Sequence, residues 1–184
     1  MKAKKRLLTL GLKVKPSEQE RLFEEIYWSK ASKIKKQSFF LVGPNLYEDA
    51  VQEVFIKIFK GLKHFQQKSS LDTWIYRITL NTCLNLIRKN KGSLNEVSFN
   101  SSSLKVEEIE GVDPIKRRVI LTGIEKLNDK HRSVFVLFFI MELKISEITE
   151  VLDIKEGTVK SRIHKAKNEM KEFLTKEGVY NGKV

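Results

Sequence analysis

Residues 48–62 read EDAVQEVFIKIFKGL, and the fold turns on how this stretch is read. Ala50, Val51, Val54, Phe55, Ile58, Phe59 and Leu62 recur at the three-and-four spacing of a helix with one broad apolar face. Such a helix must pack against something. Further along, Trp74 to Lys89 reads as helix again, with Tyr76, Leu80, Cys83 and Ile87 on one face and Arg77, Asn81, Asn85 and Arg88 on another. One side is core, and the other is available for recognition.

Almost every stretch from Ser17 to Lys91 reads as helix, whereas Gly92 to Asp113 changes character, with three consecutive serines and an acidic cluster. Glu96, Glu107, Glu108, Glu110 and Asp113 face Lys105 alone there, so an acidic linker separates two basic blocks. Pro114 is placed to open a helix, because its fixed φ and missing N–H cost nothing at a first helical position. That helix runs to about Lys126. After the break Asn128-Asp129-Lys130 the pattern predicts a strongly apolar helix from His131 to Glu142, a short one from Ser146 to Leu152, and a turn from Asp153 to Gly157. The last helix spans about Thr158 to Thr175, with Val159, Ile163, Ala166 and Met170 on its buried face. Lys160, Ser161, Arg162, His164, Lys165, Lys167 and Lys171 fall on its other faces. Short helix, tight turn and basic amphipathic helix outline a helix-turn-helix whose second helix can enter a major groove.

The expected architecture is all-α: two small helical domains, at 17–91 and 114–176, joined by an acidic linker at 92–113. A basic leader (1–16) precedes them and a short tail (177–184) follows. Lys plus Arg outnumber Asp plus Glu by 35 to 23, a formal net charge of +12, which favours a polyanionic partner. Cys83 is the one cysteine, so no intramolecular disulfide is possible, and its apolar neighbours suggest a small buried hydrophobe. A reducing cytoplasm fits. In the leader, Lys13 interrupts the apolar run Leu7 to Leu12, too short for an export signal. The longest apolar run, Val134 to Met141, falls far short of the roughly 20 residues of a spanning helix, which argues against membrane insertion.

The motifs also carry a resemblance. Glu48-Asp49-Ala50-Val51-Gln52-Glu53-Val54-Phe55, followed by Thr73-Trp74-Ile75-Tyr76-Arg77-Ile78 and Asn81, resembles region 2 of the extracytoplasmic-function (group 4) sigma factors of the sigma-70 family. Leu127, Arg132, Glu147-Ile148 and Gly157-Thr158-Val159-Lys160-Ser161-Arg162 are similar to region 4 of the same family. The resemblance covers about residues 20–91 and 115–175, and two unrelated motifs in the expected order make it specific.

It implies an alternative sigma factor: a protein that binds core RNA polymerase, recognises −10 and −35 promoter elements, and promotes transcription initiation without itself being an enzyme. Asp49, Gln52 and Glu53 would dock on the clamp helices of the β′ subunit, and region 4 would meet the β flap. Asn81 matches the position that contacts an extruded −10 base; an amide carries both donor and acceptor for a Watson–Crick edge. Ser69, Ser70, Leu71 and Asp72 would wall that pocket, and Arg77, Arg88 and Lys89 would hold phosphates. Trp74 is either a stacking platform or a core anchor. The −35 duplex would be read by Lys160, Ser161, Arg162, His164 and Lys165, Arg162 being the best single base reader. The Thr158 hydroxyl and nearby N–H groups would suit a phosphate, while Lys167 and Lys171 add affinity without sequence choice.

The acids Glu107, Glu108 and Glu110 would follow a path built for RNA, and an anti-sigma partner is plausible. Thr149 stands where the family's short helix usually has alanine, His164 where many members carry an aromatic or aliphatic group, and the leader has no counterpart. A rival reading is a dimeric operator-binding helix-turn-helix regulator, which accounts for the last 60 residues but not the first block. An enzyme is a poor fit: His64, His131 and His164 are far apart in sequence, and no glycine-rich phosphate loop, metal-ligand spacing or cofactor motif appears.

Overall fold

The computed structural model describes residues 17–90 and 114–180. The leader, the linker with its acids, and residues 181–184 of the tail lie outside the described residues.

Three helices form the first body. Helix α1 (Glu18–Val42) begins at a reciprocal cap: the Glu20 N–H donates to Ser17 Oγ at 3.3 Å and the Ser17 N–H to the Glu20 carboxylate at 2.7 Å. It stops at Gly43, whose φ of 72° no side chain adopts cheaply, and where a Cβ would stand 2.5 Å from Glu125 Oε1 of the second body. Helix α2 (Tyr47–Gly61) tightens into a single 3-10 turn over Leu62–His64, and α3 (Leu71–Asn90) follows a short loop. Ile26 and Ile34 of α1, Val54, Ile58 and Leu62 around α2, and Ile75 of α3 meet in one buried cluster.

The buried line of α2 is Ala50, Val54 and Ile58. Val51 and Phe55 are half-buried at its edge, and Phe59, expected on the packed face, keeps 37% of its surface exposed. The apolar arc of the sequence is wider than the groove between α1 and α3 that receives it.

The second body contains α4 (Pro114–Lys126), α5 (Asp129–Phe135), a widened turn over Val136–Ile140, α6 (Ile145–Leu152) and α7 (Glu156–Lys176). The expected helix His131–Glu142 starts two residues earlier, because the Asn128 side chain caps it by accepting the His131 N–H at 3.0 Å. It also does not finish as an α-helix. The Met141 N–H reaches back five residues to the Val136 carbonyl at 2.9 Å, and the Leu143 N–H six to Leu137 at 3.0 Å, so the last turn is wider. Asp153, at φ 53°, makes the sharp turn between α6 and α7. Short polar side chains tolerate that left-handed backbone best after glycine.

The two bodies share one core. Phe39, Phe40, Leu41 and Val42 at the end of α1, with Tyr76, Leu80, Cys83 and Ile87 of α3, are continuous with Leu121, Ile124, Leu137, Ile148 and Val159 of the second body. No helix among the described residues is long and apolar enough to cross a membrane.

Candidate nucleic-acid interface

Because α2 buries one line of side chains completely, its opposite face is fixed in orientation. Asp49 and Gln52 are exposed on that face. Glu53 is half-buried at its margin, with its carboxylate 2.8 Å from Lys57 Nζ one turn along.

The loop before α3 is held by its own polar groups. Ser70 caps α3, its Oγ accepting the Thr73 N–H at 3.0 Å and lying 2.8 Å from Thr73 Oγ1. Ser69 Oγ donates to the Ser70 carbonyl at 3.4 Å, and Asp72 pairs with Lys30 Nζ of α1 at 2.5 Å. Gln67, with φ 55°, bends the chain into this loop. Trp74 is half-buried: its ring packs on Phe65 with centroids 4.9 Å apart, and a Cβ on Gly61 would meet its Cζ2 at 2.8 Å. Of the two roles open to Trp74, the packing one is the one these contacts describe.

Along α3, Arg77 is half-buried, and Asn81, Asn85, Arg88 and Lys89 are exposed. The Asn81 amide has no side-chain hydrogen bond among the described residues, leaving its donor and acceptor for a ligand. Arg77 is committed instead. Its Nε lies 3.0 Å from the Glu150 carbonyl of α6, and Nη2 donates to the same oxygen. Arg88 Nε meets Asp129 Oδ2 at 3.2 Å. Burial raises the Tyr76 phenol above its ordinary pKa, and the charges of Asp72 and Glu147 push the same way.

In the helix-turn-helix, α6 leads with Glu147, whose carboxylate accepts the Lys144 N–H at 2.7 Å. Thr149 is half-buried, and its hydroxyl donates to the Ser146 carbonyl, so the polar tip is satisfied within α6. Helix α7 buries Val159, Ala166 and Met170, with Ile163 half-buried. Lys160, Ser161, His164, Lys165, Lys167 and Lys171 are exposed, and Arg162 is half-buried. Lys160 pairs with Glu156 at 2.6 Å, Ser161 Oγ donates to the Thr158 carbonyl at 3.0 Å, and Asn168 Nδ2 lies 3.4 Å from His164 Nδ1. Helix α7 begins at Glu156, two residues before the expected Thr158. The Thr158 and Val159 N–H groups already bond the Lys155 carbonyl at 2.9 and 3.1 Å, so the N–H groups left open at this end belong to Glu156 and Gly157.

Comparison with known proteins places this arrangement. The family model for sigma-70 region 2 matches residues 34–93, and that for sigma-70 region 4 matches residues 117–170. The ECF RNA polymerase sigma factor SigW of Bacillus subtilis is 36% identical over 139 residues, covering 69% of this chain and 74% of SigW. The chain belongs to the sigma-70 family, as an ECF sigma factor. RNA polymerase sigma factor YlaC of Bacillus subtilis is 31% identical over 134 residues, covering 70% of this chain and 78% of YlaC. The fold matches sigma factor RpoE of Bartonella quintana, solved in complex with the anti-sigma factor NepR, at a TM-score of 0.67 and 19% identity, over 83% of this chain and 96% of that one. CnrH, solved with the cytosolic domain of CnrY, gives a TM-score of 0.66 at 19% identity, over 86% of this chain and 90% of CnrH.

This sigma factor is therefore an alternative transcription initiation factor, not an enzyme, and its partners are RNA polymerase and promoter DNA. What the sequence did not signal is the set of long-range partners. Lys30 on Asp72, Glu150 on Arg77 and Asp129 on Arg88 are pairings 41 to 73 residues apart, and no periodicity within one helix points to them.

Proposed function

We propose that the two bodies divide the work of initiation, the first (17–91) binding core polymerase and the −10 element and the second (114–176) binding the −35 element. The observation that carries this is the exposed polar strip of α2: Asp49 and Gln52 stand on a rigid helix whose far side is fully buried, as a docking face requires. The strip, with Glu53 at its margin, meets the β′ clamp helices, and the second body meets the β flap. Asn81 takes an extruded −10 base, with Ser69, Ser70, Asp72 and Trp74 forming and bracing the pocket and Arg77, Arg88 and Lys89 holding phosphates. Thr158, Lys160, Ser161, Arg162, His164 and Lys165 read the −35 duplex. The protein works in the cytoplasm, where the polymerase is, and its activity is held by an anti-sigma factor, as the matched RpoE is found bound to one.

The test is fluorescence anisotropy of the labelled chain with bacterial core RNA polymerase, beside duplex DNA alone. Tight core binding lost roughly tenfold or more in a variant carrying both Asp49→Ala and Gln52→Ala is the expected result, since truncating central interface residues costs about 1–3 kcal/mol. Core binding unchanged by that pair of substitutions overturns the assignment of the α2 strip.

A further inference from the structure

Five rings run in one line across α1 and α2. Phe59 meets Phe23 at 5.2 Å between centroids, Phe23 meets Phe55 at 6.1 Å, Phe55 meets Tyr27 at 5.0 Å, and Tyr27 meets Trp28 at 5.3 Å. The ridge is only partly covered: 81% of Trp28 and 37% of Phe59 stay exposed, and Ile56, one turn before Phe59, keeps 45%. Adjoining large apolar side chains on a surface mark a place where something docks. Ile56 also stands one turn beyond Gln52, so the ridge borders the polar strip of α2.

The surroundings of the ridge are opposite in sign to the chain as a whole, whose formal net charge is +12. Residues 18–28 hold Glu18, Glu20, Glu24 and Glu25 against Arg21, and residues 47–60 hold Glu48, Asp49 and Glu53 against Lys57 and Lys60. A second copy of this ridge, or an anionic membrane, would bring like charge to it. The chain's own leader brings the opposite charge together with apolar content. Residues 1–16 carry Lys2, Lys4, Lys5, Arg6, Lys13 and Lys15, no acid, and the run Leu7 to Leu12 between them. The leader also joins α1 at the right end, because Gln19 Nε2 donates to the Phe59 carbonyl at 2.6 Å and so sets the start of α1 beside one end of the ridge. Trp28, at the other end, lies about 16 Å along α1 from Ser17. Leu12 and Leu7 can reach roughly 17 and 33 Å from Ser17, which spans that length.

We propose that residues 1–16 dock back on this ridge, with Leu7, Leu8, Leu10 and Leu12 on the rings and the cations among the acids of α1 and α2, so that core polymerase must displace them to seat on the adjoining strip. The displacement rests on the reading of the α2 strip as the polymerase face; the docking does not. Joined directly to α1, the leader meets the ridge at an effective concentration on the order of millimolar, so a contact of modest intrinsic strength suffices to cover it. The same modest strength lets a larger partner remove it.

The experiment uses the full chain and a variant with Leu7, Leu8, Leu10 and Leu12 all changed to serine, which alters no charge. Acrylamide quenching of Trp28 is read with Trp74→Phe in both, so that one tryptophan remains. Core polymerase binding is read by anisotropy with Trp74 in place. The expected result is a quenching constant that rises roughly threefold in the serine variant and core binding that tightens roughly fivefold, since both follow the fraction of chains whose ridge is open. Reversing Lys2, Lys4, Lys5 and Arg6 to glutamate should uncover Trp28 as well, and raised salt should do so in the parent.

Trp28 quenched in the parent chain as freely as a dissolved indole overturns the docking, as does quenching that neither leader variant changes. Quenching that rises on dilution assigns the ridge to a second copy instead, and protection that appears only with anionic vesicles assigns it to a lipid surface. Asp49→Ala with Gln52→Ala separates the two readings. If that pair weakens core binding while the serine variant uncovers Trp28 without tightening it, the displacement falls; if the pair has no effect, the α2 reading falls and Trp28 still decides the docking.

Discussion

Cys83 has none of its surface exposed, and burial pushes its thiol up to about 12, the Ser38 hydroxyl acting in the opposite sense. Folded and unfolded states therefore differ in proton affinity. The folded pKa lies above the ordinary value of 9.0, so the stability tied to the protonated thiol is whole below pH 9 and is lost as pH rises toward 12. Over that window the parent chain should lose up to about 1.4 kcal/mol per pH unit relative to Cys83→Ala, measured by urea unfolding at matched pH. At neutral pH the native thiol should resist a disulfide reagent that labels the urea-unfolded chain within minutes; rapid labelling of the native protein would contradict this burial. The sequence made this residue legible, because apolar neighbours at helical spacing suffice to bury a lone cysteine. Trp74 was not legible in that way. Its role depends on Gly61, thirteen positions earlier, where the missing side chain leaves room for the indole. Gly61→Ala should cost about 1–3 kcal/mol and alter Trp74 fluorescence, since a rigid ring fixed by Phe65 gives way less readily than a flexible chain.

At the scale of elements, the apolar spacing located the helices well and their ends less well. Val159, Ala166 and Met170 mark α7 correctly, yet its start lies at Glu156, because the Lys155 carbonyl, a backbone group absent from any side-chain pattern, accepts both the Thr158 and Val159 N–H groups. The apolar run Val134 to Met141 likewise gives no sign that its hydrogen bonds widen after Phe135. Packing between helices shows the same limit. Gly123 sits inside α4, where glycine is disfavoured by about 1 kcal/mol relative to alanine, and the structure supplies the reason. A Cβ there would lie 2.7 Å from Phe173 Cδ1 and 2.9 Å from Met170 Cε, so the glycine lets α4 and α7 approach. Gly123→Ala should therefore destabilise the chain by about 1–3 kcal/mol despite its better helix propensity, with a visible fall in urea midpoint. A rise in midpoint would mean that α4 and α7 separate at little cost.

The basic charge and the two blocks of helix were visible at the scale of the whole molecule, but their union through a shared core was not, because it depends on contacts about 90 residues apart. Arg132 is the clearest case. The resemblance pointed to it without a task, and the structure buries it, with Nε on the Ile124 carbonyl at 3.1 Å and Nη2 on those of Glu125 and Leu127, the latter at 3.2 Å. Nη1 donates across to Leu41 of the first body at 3.3 Å. Desolvation lowers the guanidinium's pKa, while Asp129 and Glu125 act in the opposite sense. Guanidinium suits this place because its planar fork carries five donors, whereas an ammonium on a thinner stem cannot reach four carbonyls at once. Arg132→Met should leave several carbonyls unpaired and cost about 3–5 kcal/mol, and Arg132→Lys should recover only part of it. The manner of unfolding carries the sharper information. If the Leu41 bond helps to join the two bodies, Arg132→Lys should split the single urea transition in two, the second body melting first, as followed by energy transfer between the bodies and by helix circular dichroism. A single transition shifted to lower urea would instead assign Arg132 wholly to the end of α4 and leave the shared apolar core to hold the bodies together.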